Sequence, residues 1–140
     1  MFNKEYVNIN ILDNCASVMD HNNGSSLVIT TCTGSSDQKF TYDPVTHELK
    51  YNNKCLQSNN QNNIELWNCD NTNNQKWIYD KTTFQFKNMK NVNKCMDVPY
   101  SSIKNGTHIQ LQDCVSNNNQ KFYITNANDK LIIKESATFL

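Results

Sequence analysis

The sequence is poor in glycine, carries no net charge and contains no long apolar run. Only 3 of its 140 residues are glycine, so it has no glycine-rich loop of the kind that cradles a phosphate. Lysine and arginine together number 13, as do aspartate and glutamate, which excludes the basic surface needed to hold a nucleic-acid backbone. No stretch of about 18 apolar residues is present to span a membrane as a helix. The sequence therefore predicts a soluble chain that binds no nucleic acid and does not insert into a membrane.

The start of the chain, MFNKEYVNIN, lacks the apolar segment and small-residue cleavage site of a secretory signal. The chain nevertheless contains 6 cysteines. If these pair, the protein folds in an oxidising compartment, because a reducing cytosol keeps thiols free. We therefore expect a secreted or cell-surface protein, and we interpret the initial methionine as a new start codon placed before a mature segment.

A tetrad, in which Asp or Asn is followed by Gln, Lys and an aromatic residue, recurs after Asn- or Asp-rich turns. Its copies are DQKF at 37–40, NQKW at 74–77 and NQKF at 119–122. A pair of cysteines precedes each copy: Cys15 and Cys32, Cys55 and Cys69, Cys95 and Cys114. The first cysteines of the pairs, at positions 15, 55 and 95, are spaced by 40 residues. This period makes the repeat the unit of folding. We expect a single domain over 1–140, with repeats at approximately 5–45, 46–86 and 87–140.

Short alternating segments end at the second cysteine of each pair: LVITTC, IELWNC and IQLQDC. Further short segments, KFTY, KWIY and KFYI, begin within each tetrad. Period-two alternation predicts half-buried strands, and no stretch of a dozen residues keeps the 3.6-residue period of an amphipathic helix. The fold class is therefore all-β. Three units of about four strands around a shared axis describe a β-trefoil with pseudo-threefold symmetry, with Phe40, Trp77 and Phe122 in its core.

These features resemble the ricin-type β-trefoil lectins, whose repeats carry a Gln-x-Trp signature near their ends. Trp77 keeps the tryptophan, whereas Phe40 and Phe122 replace it. The resemblance extends from about Cys15 to Ile124. It implies a non-catalytic module without a cofactor, which binds galactose-type or N-acetylgalactosamine-type glycans on cell surfaces or walls and can accompany a toxin or enzyme chain.

The glutamine of each tetrad is expected to have a structural role. An amide side chain offers both a donor and an acceptor, so Gln38, Gln75 and Gln120 can satisfy backbone groups at a turn. The aromatic residue two positions later then buries its ring. In the ricin-type lectins the sugar site lies beside this motif.

The cysteines have two interpretations, disulfides and zinc ligands. No Cys-x-x-Cys spacing occurs, and His21, His47 and His108 lie at unrelated points of the repeat. We therefore expect disulfides that join residues 15 and 32, 55 and 69, and 95 and 114, and no metal site. Six free thiols in the native protein would contradict this pairing.

The resemblance implies a sugar site in each repeat built from four positions. They are an Asp two residues after the first cysteine, a polar residue and then an aromatic residue on the strand before the second cysteine, and the Asn before the tetrad glutamine. A carboxylate accepts hydrogen bonds from sugar hydroxyls, and an asparagine offers both a donor and an acceptor. The aromatic face receives the apolar C–H patch of the sugar ring.

The third repeat matches these positions best. Its aromatic position is occupied by Gln112, and Tyr100 is the residue expected to supply a ring instead. Its candidate site residues are Asp97, Tyr100, Gln110, Gln112, Asn119 and Gln120.

The second repeat keeps the aromatic residue, Trp67, but has Gln57 at the Asp position. Strand alternation places Trp67 and Glu65 on the face opposite Leu66, so the Glu65 carboxylate can partly substitute. Its candidate site residues are Gln57, Glu65, Trp67, Asn74 and Gln75. The first repeat has Ser17, Val28, Thr30 and Asp37 at the four positions, and we expect no binding there.

Two glycosylation sequons, at Asn23 and Asn105, precede the strands that end at second cysteines. We expect a glycan on Asn105 to crowd the third-repeat site. The alternative to a lectin is a protein-interaction scaffold with decayed sugar sites, in a wall, coat or toxin assembly. An enzyme is not expected, because no catalytic triad, Cys-His pair with a free thiol or metal-ligand spacing is present.

Overall fold

The computed structural model describes residues 6–126 and is all-β. Residues 1–5 and 127–140, which include the end of the predicted third repeat, lie outside the described residues. The strands are β1 (Val7–Ile11), β2 (Asn14–Val18), β3 (Leu27–Thr30), β4 (Thr41–Tyr42), β5 (Leu49–Tyr51), β6 (Lys54–Ser58), β7 (Ile64–Asn68), β8 (Trp77–Asp80), β9 (Gln85–Asn88), β10 (Asn91–Asp97), β11 (Thr107–His108), β12 (Gln110–Asp113) and β13 (Tyr123–Asn126).

Helical structure in this part of the chain consists of single 3₁₀ turns. Three of them cover the tetrad glutamines, at Ser36–Gln38, Asn73–Gln75 and Asn118–Gln120, and a fourth lies at Pro99–Ser101. None of the helices described is long and apolar enough to cross a membrane.

Six strands close into a barrel. β1 pairs with β13, β4 with β5 and β8 with β9, all antiparallel. Backbone hydrogen bonds join these pairs into a ring, because Phe40 N donates to Val7 O (2.9 Å), Trp77 N to His47 O (2.7 Å) and Phe122 N to Phe84 O (2.8 Å). A closed ring leaves no exposed sheet edge at which other chains could add strands.

Three hairpins, β2–β3, β6–β7 and β10–β12, extend from the barrel in the same register. The paired residues are Ser17 and Val28, Gln57 and Glu65, and Asp97 and Gln110. These pairs are the predicted Asp and polar positions of the three repeats, which confirms the sequence alignment. The predicted threefold β-trefoil is therefore confirmed.

The loop of each hairpin rests on the next repeat around the ring. Gly24 N donates to Leu66 O (2.7 Å), and Gly106 N donates to Ile29 O (2.8 Å). In the remaining contact, Leu111 N donates to Asn62 O (2.7 Å). Each strand that carries a candidate site is therefore supported by a loop from its neighbour.

The tetrad aromatics form the predicted core. Phe40, Trp77 and Phe122 are fully buried. Two tyrosines link the repeats through the backbone of this set, because Tyr42 Oη donates to Trp77 O and Tyr79 Oη donates to Phe122 O, both at 2.6 Å. Burial raises the pKa of Tyr42 to about 12 and raises that of Tyr79 as well.

Asparagine takes over much of the role of the scarce glycine. All three glycines have left-handed backbone, with φ of 90°, 74° and 91°. Within residues 6–126, ten other residues also have positive φ, and four of these are asparagines: Asn52, Asn53, Asn62 and Asn71. Asparagine enters this region several-fold more readily than most residues do. The abundance of asparagine is thus compatible with a fold rich in tight turns.

The structure contains the three expected disulfides, Cys15–Cys32, Cys55–Cys69 and Cys95–Cys114. Each ties the start of a hairpin's first strand to the segment after its last strand. Within residues 6–126, the potential metal ligands that cluster are Glu48, Cys55 and Cys69. Because both of these cysteines are in a disulfide, they offer no thiolates to zinc.

Candidate glycan-binding sites

The tetrad glutamines hold the segment that follows each second cysteine. The side-chain oxygen accepts a hydrogen bond from the backbone N–H five residues before the glutamine, and the side-chain nitrogen donates to the carbonyl seven residues before it. The N–H donors are Thr33 (2.9 Å), Asp70 (2.9 Å) and Val115 (2.8 Å), and the carbonyl acceptors are Thr31, Asn68 and Asp113, each at 2.8 Å. The predicted structural role of Gln38, Gln75 and Gln120 is confirmed.

In the third repeat the carboxylate of Asp97 lies at the centre of an amide network. Oδ1 accepts from Gln110 Nε2 at 3.0 Å, and Oδ2 accepts from Gln120 Nε2 at 2.9 Å and Asn119 Nδ2 at 3.2 Å. Asp97 is 4 % exposed. Because a carboxylate offers about four acceptor positions, these bonds leave room for about one further donor.

The side chain of Asn119 brings a further acceptor to this site, and this acceptor has no donor among the described residues. Asn119 Oδ1 is buried and has no hydrogen-bond partner among the described residues, whereas Asn119 Nδ2 also donates to Val98 O at 3.0 Å. At the equivalent positions, Asp37 Oδ1 accepts from the Ser35 hydroxyl and Asn74 Oδ1 from the Thr72 hydroxyl. The third repeat has Asn117 in place of these hydroxyl residues, so no equivalent hydroxyl donates to Asn119 Oδ1.

These groups lie in an open cleft of about 330 Å³. Tyr100 forms part of its wall, is 99 % exposed and has left-handed backbone with φ of 56°. The cleft is lined by Asp97, Pro99, Tyr100, Gln110, Gln112, Val115, Asn117 and Asn119. The structure thus brings together the predicted residues Asp97, Tyr100, Gln110, Gln112 and Asn119.

In the second repeat the carboxylate and the amide have exchanged strands. Glu65 faces Gln57 directly across β6 and β7, as Gln110 faces Asp97 in the third repeat. Both Glu65 oxygens are occupied, since Oε2 accepts from Gln57 Nε2 (2.8 Å) and Oε1 from Asn59 Nδ2 (3.0 Å). Gln75 Nε2 donates to Gln57 Oε1 at 3.0 Å, and Asn74 Nδ2 donates to Ser58 O at 3.1 Å.

Trp67 points outward, as the alternation predicted. Trp67 is 41 % exposed, whereas Leu66 is fully buried. A Cβ placed on Gly24 would lie 4.0 Å from the Trp67 ring, so the loop of the first repeat borders this tryptophan. Beside it, Lys54 Nζ donates to Asn23 Oδ1 (2.6 Å) and Asn68 Oδ1 (3.0 Å).

The first repeat lacks a carboxylate at its Asp position, where Ser17 Oγ donates to Asp37 O at 3.3 Å. The expected effect of a glycan on Asn105 stays a prediction, although the structure places this residue away from the lining of the third-repeat cleft. Asn105 Oδ1 accepts from Thr31 N at 3.0 Å, so this residue lies against the first repeat and does not line the third-repeat cleft. The reason is that each hairpin loop packs on the following repeat.

Two of the candidate site residues are placed behind the sites. Gln75 and Gln120 are fully buried, and a fully buried side chain does not contact a sugar on the surface. Their amide nitrogens hold Gln57 and Asp97 instead. Sequence reasoning missed Pro99, Val115 and Asn117 in the third cleft. The available signals were that Pro99 directly precedes Tyr100 and that Val115 directly follows a second cysteine.

Comparisons with known proteins agree with this architecture. The model of the ricin-type beta-trefoil lectin domain matches residues 6–122. A search among curated protein sequences finds no match. The C-half of an earthworm R-type lectin, solved in complex with GalNAc, superposes with a TM-score of 0.76 at 17 % identity, covering 89 % of this chain and 99 % of that one.

Two further solved structures show the same fold. The β-trefoil lectin of the Vibrio vulnificus hemolysin/cytolysin, with N-acetyl-D-lactosamine bound, has a TM-score of 0.74 at 18 % identity and covers 93 % of this chain and 100 % of that one. The designed threefold-symmetric protein ThreeFoil has a TM-score of 0.75 at 15 % identity, with 86 % and 97 % covered. On the match over residues 6–122, the chain belongs to the ricin-type β-trefoil lectin domains, a family of carbohydrate-binding modules.

Proposed function

We propose that this chain, as one domain over 1–140, is a non-catalytic lectin module that binds galactose-type or N-acetylgalactosamine-type glycans. The observation that carries this proposal is the third-repeat cleft, where a buried carboxylate with spare acceptor capacity lies beside the unpaired Oδ1 of Asn119. A buried polar atom without a partner costs about 1–3 kcal/mol. A sugar hydroxyl that donates to Asn119 Oδ1 recovers this energy.

Each residue of the cleft has a distinct role in this proposal. Asp97 accepts one sugar hydroxyl at its free position, and Asn119 Oδ1 accepts a neighbouring one. Gln110 and Gln120 hold the carboxylate in place through their amide nitrogens. Tyr100 supplies the apolar ring face that Gln112 cannot supply.

The second repeat is proposed as a weaker site that uses Trp67 as its platform and Gln57, Glu65 and Asn74 as polar contacts. Its carboxylate accepts two amide donors, which leaves about two acceptor positions for sugar hydroxyls. Shallow single sites bind with dissociation constants near 1 mM, roughly −4 kcal/mol. Two sites on one module reach useful strength when they engage the same surface together.

A glycan array probed with the isolated protein tests the function, and retention on immobilised galactose tests the sites. We expect Asp97→Ala to lose most retention and Trp67→Ala to lose part of it. Asp113→Ala is the matched control, because it removes a carboxylate from the same hairpin. The ion-pair partner of that carboxylate is Lys94, a surface lysine. A double variant, Asp97→Ala with Trp67→Ala, that is retained like the parent would refute the site assignment.

The alternative function is a protein-interaction scaffold, and the first repeat, which has Ser17 in place of a carboxylate, favours it. An array without any retained glycan, combined with a specific protein partner, would support that alternative. For either function we propose an extracellular or cell-surface location, because three disulfides require an oxidising compartment to form.

A further inference from the structure

A second cleft borders the third-repeat cleft and shares Val115 with it. This neighbouring cleft has a volume of about 340 Å³ and lies between residues 82–85, at the turn before β9, and residues 114–116 with Lys121. Val115 lines both clefts and is 46 % exposed. A ligand longer than one sugar can therefore extend from Asp97 across Val115 into the neighbouring cleft.

The segment between the two clefts is held firmly. Val115 N donates to Gln120 Oε1, and Gln85 Nε2 donates to Val115 O, both at 2.8 Å. Gln85 Nε2 also lies 3.1 Å from Gln120 Oε1, and both glutamines are buried. The relative position of the two clefts is thus fixed by the same glutamine that holds Asp97.

The lining of the neighbouring cleft suits a sugar ring. Thr82, Thr83 and Ser116 are exposed and present hydroxyl groups. Phe84 is half-buried and packs against Tyr123 with ring centroids 4.7 Å apart, which gives the cleft a rigid apolar wall. Hydroxyl groups beside an aromatic surface match the polar and apolar faces of a pyranose.

The charge of this cleft distinguishes it from the equivalent surface of the second repeat. Lys121 is the one charged residue that lines it, and Lys121 forms no ion pair within residues 6–126. Asp13 lines a further cleft on the other side of Lys121 without pairing with it.

In the second repeat, Lys76 occupies the position of Lys121, and acidic residues occupy two positions that are neutral in the third repeat. Asp70 corresponds to Val115, because each donates its N–H to the tetrad glutamine. Glu48 corresponds to Gln85, because each follows the left-handed residue of its turn, His47 or Phe84. The third repeat thus has the neutral residues Val115 and Gln85 at these two positions.

We propose that the cleft formed by residues 82–85, 114–116 and Lys121 is a subsite for an acidic sugar residue linked to the sugar bound at Asp97. The carboxylate or sulfate of that residue pairs with Lys121, and its ring contacts Phe84 and the threonine hydroxyls. This subsite rests on the proposed lectin function of the third-repeat cleft.

Lactose and 6′-sialyllactose test the subsite, because they share a galactose and differ by one acidic residue. We expect titration calorimetry to show about two- to fivefold tighter binding of 6′-sialyllactose, the range of an exposed ion pair. Lys121→Gln should abolish this difference and leave lactose binding unchanged, whereas Lys121→Arg should keep it. Lys76→Gln, at the equivalent position of the second repeat, is the matched control and should change neither affinity.

The outcomes separate the subsite from the function on which it rests. Lactose and 6′-sialyllactose bound with equal affinity would overturn the subsite and leave the lectin function standing. A preference for 6′-sialyllactose that survives Lys121→Gln would overturn the assignment to this cleft. Binding of neither sugar, nor of any other galactose-type glycan, would refute the proposed function and the subsite together.

Discussion

Replacing Asn117 by threonine should stabilise the protein and weaken sugar binding at the same time. In the second repeat, the Thr72 hydroxyl lies within hydrogen-bond distance of both Asn74 Oδ1 and Asp70 Oδ1, whereas the equivalent Asn119 Oδ1 is buried without a donor. The backbone at Asn117 (φ −104°, ψ 156°) resembles that at Thr72 (φ −84°, ψ 156°), so threonine fits without strain. The substitution therefore places a hydroxyl donor beside Asn119 Oδ1 in the third repeat, as Thr72 does beside Asn74 Oδ1 in the second.

The size of both effects follows from one hydrogen bond. A typical intramolecular hydrogen bond contributes about 1 kcal/mol to stability, which raises the melting temperature of a domain of this size by about 3 °C. A sugar hydroxyl then meets an oxygen that is already bonded and gains less from it. We expect the affinity of the third-repeat cleft for galactose to fall by about fivefold, which corresponds to about 1 kcal/mol.

Thermal unfolding and titration calorimetry of Asn117→Thr check the two effects on the same sample. Asn117→Ala is the control, because it removes the asparagine side chain without adding a hydroxyl. A variant with raised stability and unchanged galactose affinity would show that Asn119 Oδ1 does not contact the sugar. Unchanged stability, relative to Asn117→Ala, would show that the oxygen has no need of a donor, and the reasoning would fail.

Three further predictions concern stability. Tyr42 has a pKa raised to about 12, so its neutral phenol stabilises the fold fully below pH 10 and less as the pH rises towards 12. In urea unfolding at pH 8 to 11, the difference in unfolding free energy between the parent and Tyr42→Phe should shrink as the pH rises, and a constant difference would contradict the pKa shift. Removing the Cys95–Cys114 bond, whose cysteines are 19 residues apart, in a Cys95→Ala, Cys114→Ala variant should lower the unfolding free energy by about 3 kcal/mol in urea titrations; a loss well under 1 kcal/mol would refute the chain-entropy reasoning. Gly106→Ala should lower stability by about 1–2 kcal/mol, because Gly106 has φ of 91°; thermal unfolding checks this, and an unchanged melting temperature would show that the loop relaxes freely.

The repeated parts of the fold could be predicted from the sequence because each depends on local pattern. The spacing of cysteines gave the disulfides, and the alternation around Leu66 gave the outward direction of Trp67. The burial of Phe40, Trp77 and Phe122 followed from their equivalent positions after the tetrad glutamines. Such features need only the periodicity of strands and the equality of the repeats.

The features that escaped prediction depend on contacts between distant segments. The bond from Gln120 to Asp97 joins residues 23 apart in sequence, and nothing in either local pattern indicates it. Likewise, Asn105 bonds to Thr31 across 74 residues, because the hairpin loop crosses to the next repeat. The unpaired oxygen of Asn119 is visible only when its surroundings are known, since it results from a missing hydroxyl at Asn117.

The hairpin loops contact the neighbouring repeats in one direction around the ring, so each repeat contacts the next and the third contacts the first. The first repeat supports the second through Gly24 and Leu66, the second supports the third through Asn62 and Leu111, and the third supports the first through Gly106 and Ile29. A gene fragment that encodes one repeat would leave these donors and acceptors exposed at both of its ends. Each repeat therefore depends on both of its neighbours to satisfy its backbone hydrogen bonds, and the complete ring is the unit that folds.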